Sequence, residues 1–519
     1  MKLNKFKSVI AVIALFFIMF SGVSQNSNEL WSPKNIIEKT GKEKLFRKSN
    51  PLKSQSFHLN FDVFKNKLKL SPNRKELSNR SKLVISFPNE TGVLEEFEVV
   101  EASIMDEKLQ KRFPSIKSYS GISLDGNKTI RFSITNLGLN AMILDGNNGA
   151  TFIDSESMDK SSYLVYSKKE LPAVEPFECK FDETDGFKAT FESNNTHSKT
   201  DNANDGKLRT FRLAVATTGE YSQFHLNIQG VAEDATEEDK KAAVLSAIVN
   251  TMTRVNGIYE RDIAITMELV ANNTNVIYLD GATDPFTNNN SSTLIDESQT
   301  VIDNIIGSEN YDIGHTFSTG GGGLAQLNSP CTSSKARGIT GTSSPVGDPY
   351  DVDYVSHEMG HQFGATHTFN NSCNGNRSSA TSVEPGSGST IMAYAGICAP
   401  NVQNLSDSYF HLVSIRQMWN NITNGNSDCG VLSSTNNSVP VIEEIPNYFV
   451  PISTPFSLNA VATDVDADNL TYTWEQLDPE PTTYPLAPTS IVGPSFRSLS
   501  PSDSSQRFFP NTETVLSGD

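Results

Sequence analysis

Eleven residues constrain this chain more than any other stretch: His357-Glu358-Met359-Gly360-His361-Gln362-Phe363-Gly364-Ala365-Thr366-His367. His357 and His361 are four apart, so on a helix both imidazoles project from one face, the spacing two ligands of one metal ion need. Gly364 can take the positive φ that ends a helix and turns the chain, bringing His367 back as a third ligand. Three neutral imidazoles with one position open describe a catalytic zinc site, whereas a structural site uses four protein ligands. Glu358 follows the first ligand and lies beside the open position. There it can take a proton from water and later hand it to a leaving amine. The bland alternatives are a surface helix with clustered histidines and a degenerate site that binds no metal.

The chain has 519 residues, too long for one core, so several domains are expected. A net charge of −18 and a pI near 5.0 argue against nucleic acid or an anionic membrane surface as partner. Lys2, Lys5 and Lys7 precede an apolar run from Val9 to Phe20, followed by the small residues Ser21, Gly22 and Ser24. Residues 1–24 read as a secretory signal peptide, with an uncleaved anchor as the rival reading. No other stretch is apolar and long enough to cross a bilayer, so the mature protein is expected to be soluble and exported. Of five cysteines, Cys331, Cys373, Cys398 and Cys429 sit near the histidine motif and Cys179 lies far upstream. Oxidising conditions let the four close two bridges, with three connectivities open.

Residues 25–207 read as a β-rich domain followed by a polar linker from about 183. Lys82–Phe87, Glu95–Ala102, Thr129–Thr135 and Leu139–Leu144 carry strand patterns, and Asp125-Gly126 and Asp145-Gly146 are tight-turn signals. Its place after a signal peptide suggests a propeptide; an accessory β module is the alternative. Cys179 closes this domain, and its thiolate could fill the open metal position until the propeptide is removed. Asp182 could do so instead, or Cys179 could be inert. The linker to Lys207 suits proteolytic nicking, and cleavage after Lys207 or Arg209 would leave the mature chain.

Residues 208–432 show the strand–helix alternation of an α/β layer. Phe211–Thr217, Ile263–Val270 and Asp312–Phe317 read as strands, Glu237–Ile258 and Thr293–Ile306 as helices. Asp348 is placed to cap the motif helix, Pro349 to open it, and Asp351 and Asp353 to favour its N-terminus. Ser389-Thr390-Ile391-Met392-Ala393-Tyr394 follows a Ser/Gly-rich stretch, 25 residues after His367 for its methionine.

The H-E-x-x-H-x-x-G-x-x-H pattern with this methionine resembles the metzincin metallopeptidases, reprolysin-like in type. The resemblance implies an α/β domain with a mixed twisted sheet and an active-site helix, one catalytic Zn²⁺ on His357, His361 and His367, and Glu358 as general base. It implies that Met392 forms an apolar floor beneath the imidazoles and that Tyr394 can hydrogen-bond an oxyanion. Gly323, Leu324 and Ala325 would bind substrate backbone as an added antiparallel strand. The disulfides would be Cys331–Cys429 and Cys373–Cys398, with Ser406–Asn421 as the C-terminal helix. Position 368 departs from the pattern: it is Thr where many reprolysins place an aspartate.

Residues 433–519 resemble part of an immunoglobulin- or cadherin-like β-sandwich, with strand patterns at Val439–Val441, Phe456–Ala462 and Leu470–Gln476. The loop Asp464–Asp468 could bind a structural Ca²⁺ through hard oxygen ligands, or stand as a solvated turn. With only about three strands, the module is expected to be incomplete, and a missing C-terminal region could attach the protein to a cell surface. The sequence is thus read as a secreted zinc metalloendopeptidase of proteins and peptides, made as a zymogen and activated by another protease. The alternative is a surface adhesion protein using a protease-like domain as scaffold.

Overall fold

The computed structural model describes residues 30–34, 44–76, 81–172, 179–182, 203–487 and 489–517. Residues 1–24, read as a signal peptide, and residues 183–202 of the stretch read as a polar linker lie outside the described residues.

Alternating apolar residues between Trp31 and Ser167 build a nine-stranded antiparallel sheet. Phe64, Phe87, Phe97 and Phe132 are buried on one face with Tyr163 and Val165. The other face carries Met142, Phe152 and Tyr166 into a core shared with Phe211, Val244, Met359 and Phe363. One apolar core therefore joins the N-terminal sheet to the histidine-bearing region.

That region is built on β1 (Cys179–Asp182), β2 (Lys207–Thr217), β3 (Ile265–Leu269), β4 (Ile313–Ser318), β5 (Gly323–Gln326), β6 (Gly338–Gly341) and β7 (Val431–Ser434). The sheet order is β1-β5-β6-β4-β2-β3, with β7 also on β2. Pairing is mixed. β2 is parallel to β3 and β4, β4 is parallel to β6, β5 is antiparallel to β6, and β7 is antiparallel to β2. Helix α1 (Glu237–Ile263) packs Val244, Ile248, Met252 and Val255 on one side of the sheet. Helix α2 (Ser291–Ile306) packs Leu294, Ile302 and Ile306 on the other, against Ala214, Ala216 and Ile339.

Several expectations shift. Asp348 does not cap the motif helix: its carboxylate pairs with Lys168 at 3.2 Å, and Pro349–Ser356 winds as a wide π-helical segment before α3 (His357–Phe363). Asp351 and Asp353 likewise pair with Arg254 (2.9 Å) and Lys168 (2.6 Å). The C-terminal helix α4 starts later, at Leu412–Asn424, because His411 accepts from the Val413 N–H and caps it. Lys207 and Arg209 lie inside β2, hydrogen-bonded to β7, which disfavours cutting after either one in the folded chain.

Leu470–Gln476 forms no strand, only an isolated bridge from Tyr472 to Ser502; Glu475 instead binds the start of α4 through the Leu412 N–H at 2.5 Å. Residues 433–517 form two small two-stranded sheets rather than a sandwich. Carboxylate oxygens of Asp464, Asp466 and Asp468 lie within 4.8 Å of one another. Asp464 Oδ1 accepts the backbone N–H groups of Asp466 and Asp468, which is the solvated turn, and nothing supports calcium there. No described helix is long and apolar enough to cross a membrane.

Candidate metal centre

The motif helix is seated by two glycines. At Gly360 an added Cβ would lie 2.5 Å from the Met392 sulfur, so only glycine lets the helix rest on that residue. At Gly364 φ is +111°, ending α3 and reversing the chain toward His367. Met392 is fully buried directly beneath.

Each imidazole is oriented by a backbone carbonyl. The Nδ1 of His357 donates to Ile391, that of His361 to Ala365 and that of His367 to Asn376, each at 2.7 Å. A carbonyl can only accept, so in the neutral rings Nδ1 carries the proton and Nε2 is left with a lone pair. The Nε2 of His361 nonetheless stands 3.1 Å from that of His357 and 3.2 Å from that of His367. The rings are neutral, because burial lowers His357 to about 4 and pushes His361 and His367 well below the ordinary histidine value. Three lone pairs that close repel one another unless a cation sits among them.

The fourth corner is Cys179, the single free cysteine, whose Sγ lies 3.6 Å from His361 Nε2 and 3.8 Å from His367 Nε2. Tetrahedral zinc with ordinary bond lengths separates nitrogens by about 3.3 Å and nitrogen from sulfur by about 3.6 Å. The donor set fits. Without a cation, burial and the neighbouring Glu358 push the Cys179 thiol well up, so the ligand form calls for a metal.

Glu358 is fully buried, and burial holds its carboxyl well above the usual carboxylate range. Tyr394 packs its ring 4.6 Å from His367 and donates its hydroxyl to the carbonyl of Cys179 at 2.9 Å. Beside them a cavity of about 10 Å³ is lined by Tyr354, Ala395 and Ile397. Gly323, Leu324 and Ala325 form the edge strand β5, and its outer edge is taken by β1 in parallel, Cys179 opposite Gly323. Side chains of 180–182 lie outside the description, so nothing places Asp182 at the metal. The structure pairs Cys331 with Cys429 and Cys373 with Cys398.

His315 joins no ligand set: it bridges Gln362 Oε1 (2.8 Å) and Thr340 Oγ1 (2.9 Å), tying β4 to α3. Sequence reasoning passed over Glu384. It is buried, and it is the single charge between Arg377 and Asp407, a signal the sequence did carry.

Residues 207–422 match the family model described as Metallo-peptidase family M12B Reprolysin-like. No curated protein matches the chain. A solved structure described as "Structure of a chaperone-substrate complex" is similar at 14% identity with a TM-score of 0.24. The match covers 43% of this chain and 36% of that one, too slight a likeness to carry an argument.

Proposed function

We propose, from the likeness of residues 207–422 to the reprolysin-like metallopeptidase model, that the protein is an exported zinc endopeptidase, made as a zymogen whose latency Cys179 maintains. One observation carries the reading. Three Nε2 lone pairs converge on a point whose fourth corner is closed by a residue from the N-terminal side of the linker rather than by the domain itself.

His357, His361 and His367 would hold the ion. When bound, zinc lowers the pKa of a coordinated water to about 7 and polarises a carbonyl. Glu358 is the general base. Its raised affinity for a proton suits it to carry one from water to the leaving amine. Tyr394, which donates to the Cys179 carbonyl, would donate to a substrate carbonyl in that place as charge develops. Gly323, Leu324 and Ala325 would pair with substrate backbone in the antiparallel sense. Because β1 holds that edge in parallel, its peptide groups run backwards relative to a substrate, which would leave it uncut.

Residues 1–24 would direct export, in keeping with two disulfides, which persist in oxidising compartments. Residues 25–207 would be the propeptide, and an activating protease would cut in the polar stretch before β2.

The test uses full chain from which the N-terminal region has been removed by limited proteolysis after folding. Casein digestion is followed with and without a zinc chelator, beside Glu358→Ala. We expect chelator-sensitive cleavage, reduced at least about 100-fold in Glu358→Ala with zinc retained. Equal cleavage by the variant, or none by the wild type with one zinc bound, overturns the reading.

A further inference from the structure

We propose that Glu384 is a positioning residue for the metal centre, acting through Thr368 and Thr390 to hold His367 and the His357 carbonyl partner in place; this rests on the metal-site reading above.

Glu384 is 1% exposed. Its Oε1 accepts from Thr368 Oγ1 at 2.6 Å and from Thr390 Oγ1. Its Oε2 accepts from Ser389 N (2.8 Å), Ser389 Oγ (3.2 Å) and Thr390 N (3.1 Å). No cation pairs with it among the described residues. Burying a carboxylate this way is costly, and only a full set of donors makes it tolerable. A site that needed only filling would be served by an apolar side chain. The charge instead gathers two backbone N–H groups and three hydroxyls from two separate segments, which fixes their relative position.

Both segments reach the ligands. Thr368 directly follows His367, and its N–H donates to Met392 O at 3.1 Å while Glu384 N donates to Thr368 O at 2.9 Å. Thr390 directly precedes Ile391, whose carbonyl orients His357. Two of three imidazoles and the methionine beneath them thus hang on backbone that one carboxylate clamps. The outer side is closed by the C-terminal stretch: Tyr409 donates to Ser498 Oγ at 2.8 Å, and Ser498 Oγ in turn donates to Glu475 Oε1. Groups that orient metal ligands from behind typically change metal affinity 10- to 100-fold when removed.

The experiment measures zinc dissociation constants of the full chain by competition with a chromogenic chelator, with thermal melting of the zinc-free protein in parallel. Thr368→Val is nearly isosteric and removes one bond while leaving the other four at Glu384. Thr368→Ser keeps the hydroxyl. Glu384→Gln keeps an acceptor for the two backbone N–H groups and removes the charge. We expect Thr368→Val and Glu384→Gln to weaken zinc binding about 10-fold or more. Thr368→Ser should stay within about 2-fold of wild type, and combining the first two should add less than the sum of their effects. Thr368→Val loses one of five donors, so its zinc-free melting point should fall modestly while the protein still melts cooperatively well above the assay temperature. Unchanged zinc affinity in Thr368→Val, or a loss that Thr368→Ser shares, overturns the inference, and Thr368→Val decides it even if Glu384→Gln does not fold. Failure of the wild type to bind zinc would instead overturn the metal-site reading.

Discussion

Gly360 shows how much one missing methyl group decides. The motif permits any residue between Glu358 and His361, yet the helix sits so close to Met392 that a Cβ would meet its sulfur at 2.5 Å. Gly360→Ala must push the helix or the methionine aside. Overpacking of this kind costs about 1–3 kcal/mol, and here it also displaces the ring on either side. The expected outcome is a lower melting point together with weaker zinc retention on dialysis; a variant that melts and holds zinc like wild type would contradict that placement. The ligand spacing was legible in sequence because it follows from helical periodicity and one turn at Gly364, whereas the place of Met392 came only from the family resemblance. Glu384 was not legible, since its partners Thr368 and Thr390 become neighbours only when two loops fold together. Asp348 read as a helix cap from its place before proline. The fold gives it Lys168 instead, 180 residues upstream, and no local rule foresees that.

At the scale of elements, strands and helices of the histidine-bearing region fell within a few residues of their sequence patterns: α2 buries one stripe against the sheet, and α1 is buried on nearly every face from Ala243 to Tyr259. In the C-terminal stretch Phe456–Asn459 forms a strand near its pattern, but Leu470–Gln476 does not: Tyr472 makes one isolated bridge to Ser502, and Glu475 reaches α4 and Ser498. Pairing direction was equally hidden: nothing in Cys179–Asp182 announces that it runs parallel to β5. The helix Gly219–Ile228 carries its own prediction. His225 is buried against Tyr221 and Phe224, and burial lowers it to about 3. A depressed folded value means the neutral form is favoured: its contribution to stability is whole above about pH 6.5 and is lost as pH falls toward 3, at up to about 1.4 kcal/mol per unit. His225→Phe should therefore flatten the fall in melting point between pH 6.5 and 4.5. An identical slope in the variant would show that this ring does not titrate as the packing requires.

Across the whole molecule, the N-terminal sheet and the histidine-bearing region pack against each other. They share a core, and charges cross the boundary: Lys168 to Asp348 and Asp353, Arg254 to Asp154, and Arg131 to Glu260. Lys168 is buried and held protonated against its desolvation by the two carboxylates, so its ordinary value is raised rather than lowered. Lys168→Met would leave both carboxylates without their cation, and breaking a buried pair from one side costs about 3–5 kcal/mol. A clear drop in melting point of the full chain is expected, and a neutral result would mean that the interface is not held by this pair. Sequence placed the two regions in order but not against each other, because a boundary drawn from composition cannot see a core built from both sides.

The account turns on what surrounds the zinc. Zinc-edge X-ray absorption of the full chain reads that directly, before and after the N-terminal region is removed by proteolysis. We predict three nitrogen ligands and one sulfur in the intact chain, with the sulfur replaced by a light oxygen-type ligand after removal, in step with the appearance of casein cleavage. An intact chain whose zinc has no sulfur neighbour, or one that already digests casein with Cys179 in place, would contradict it.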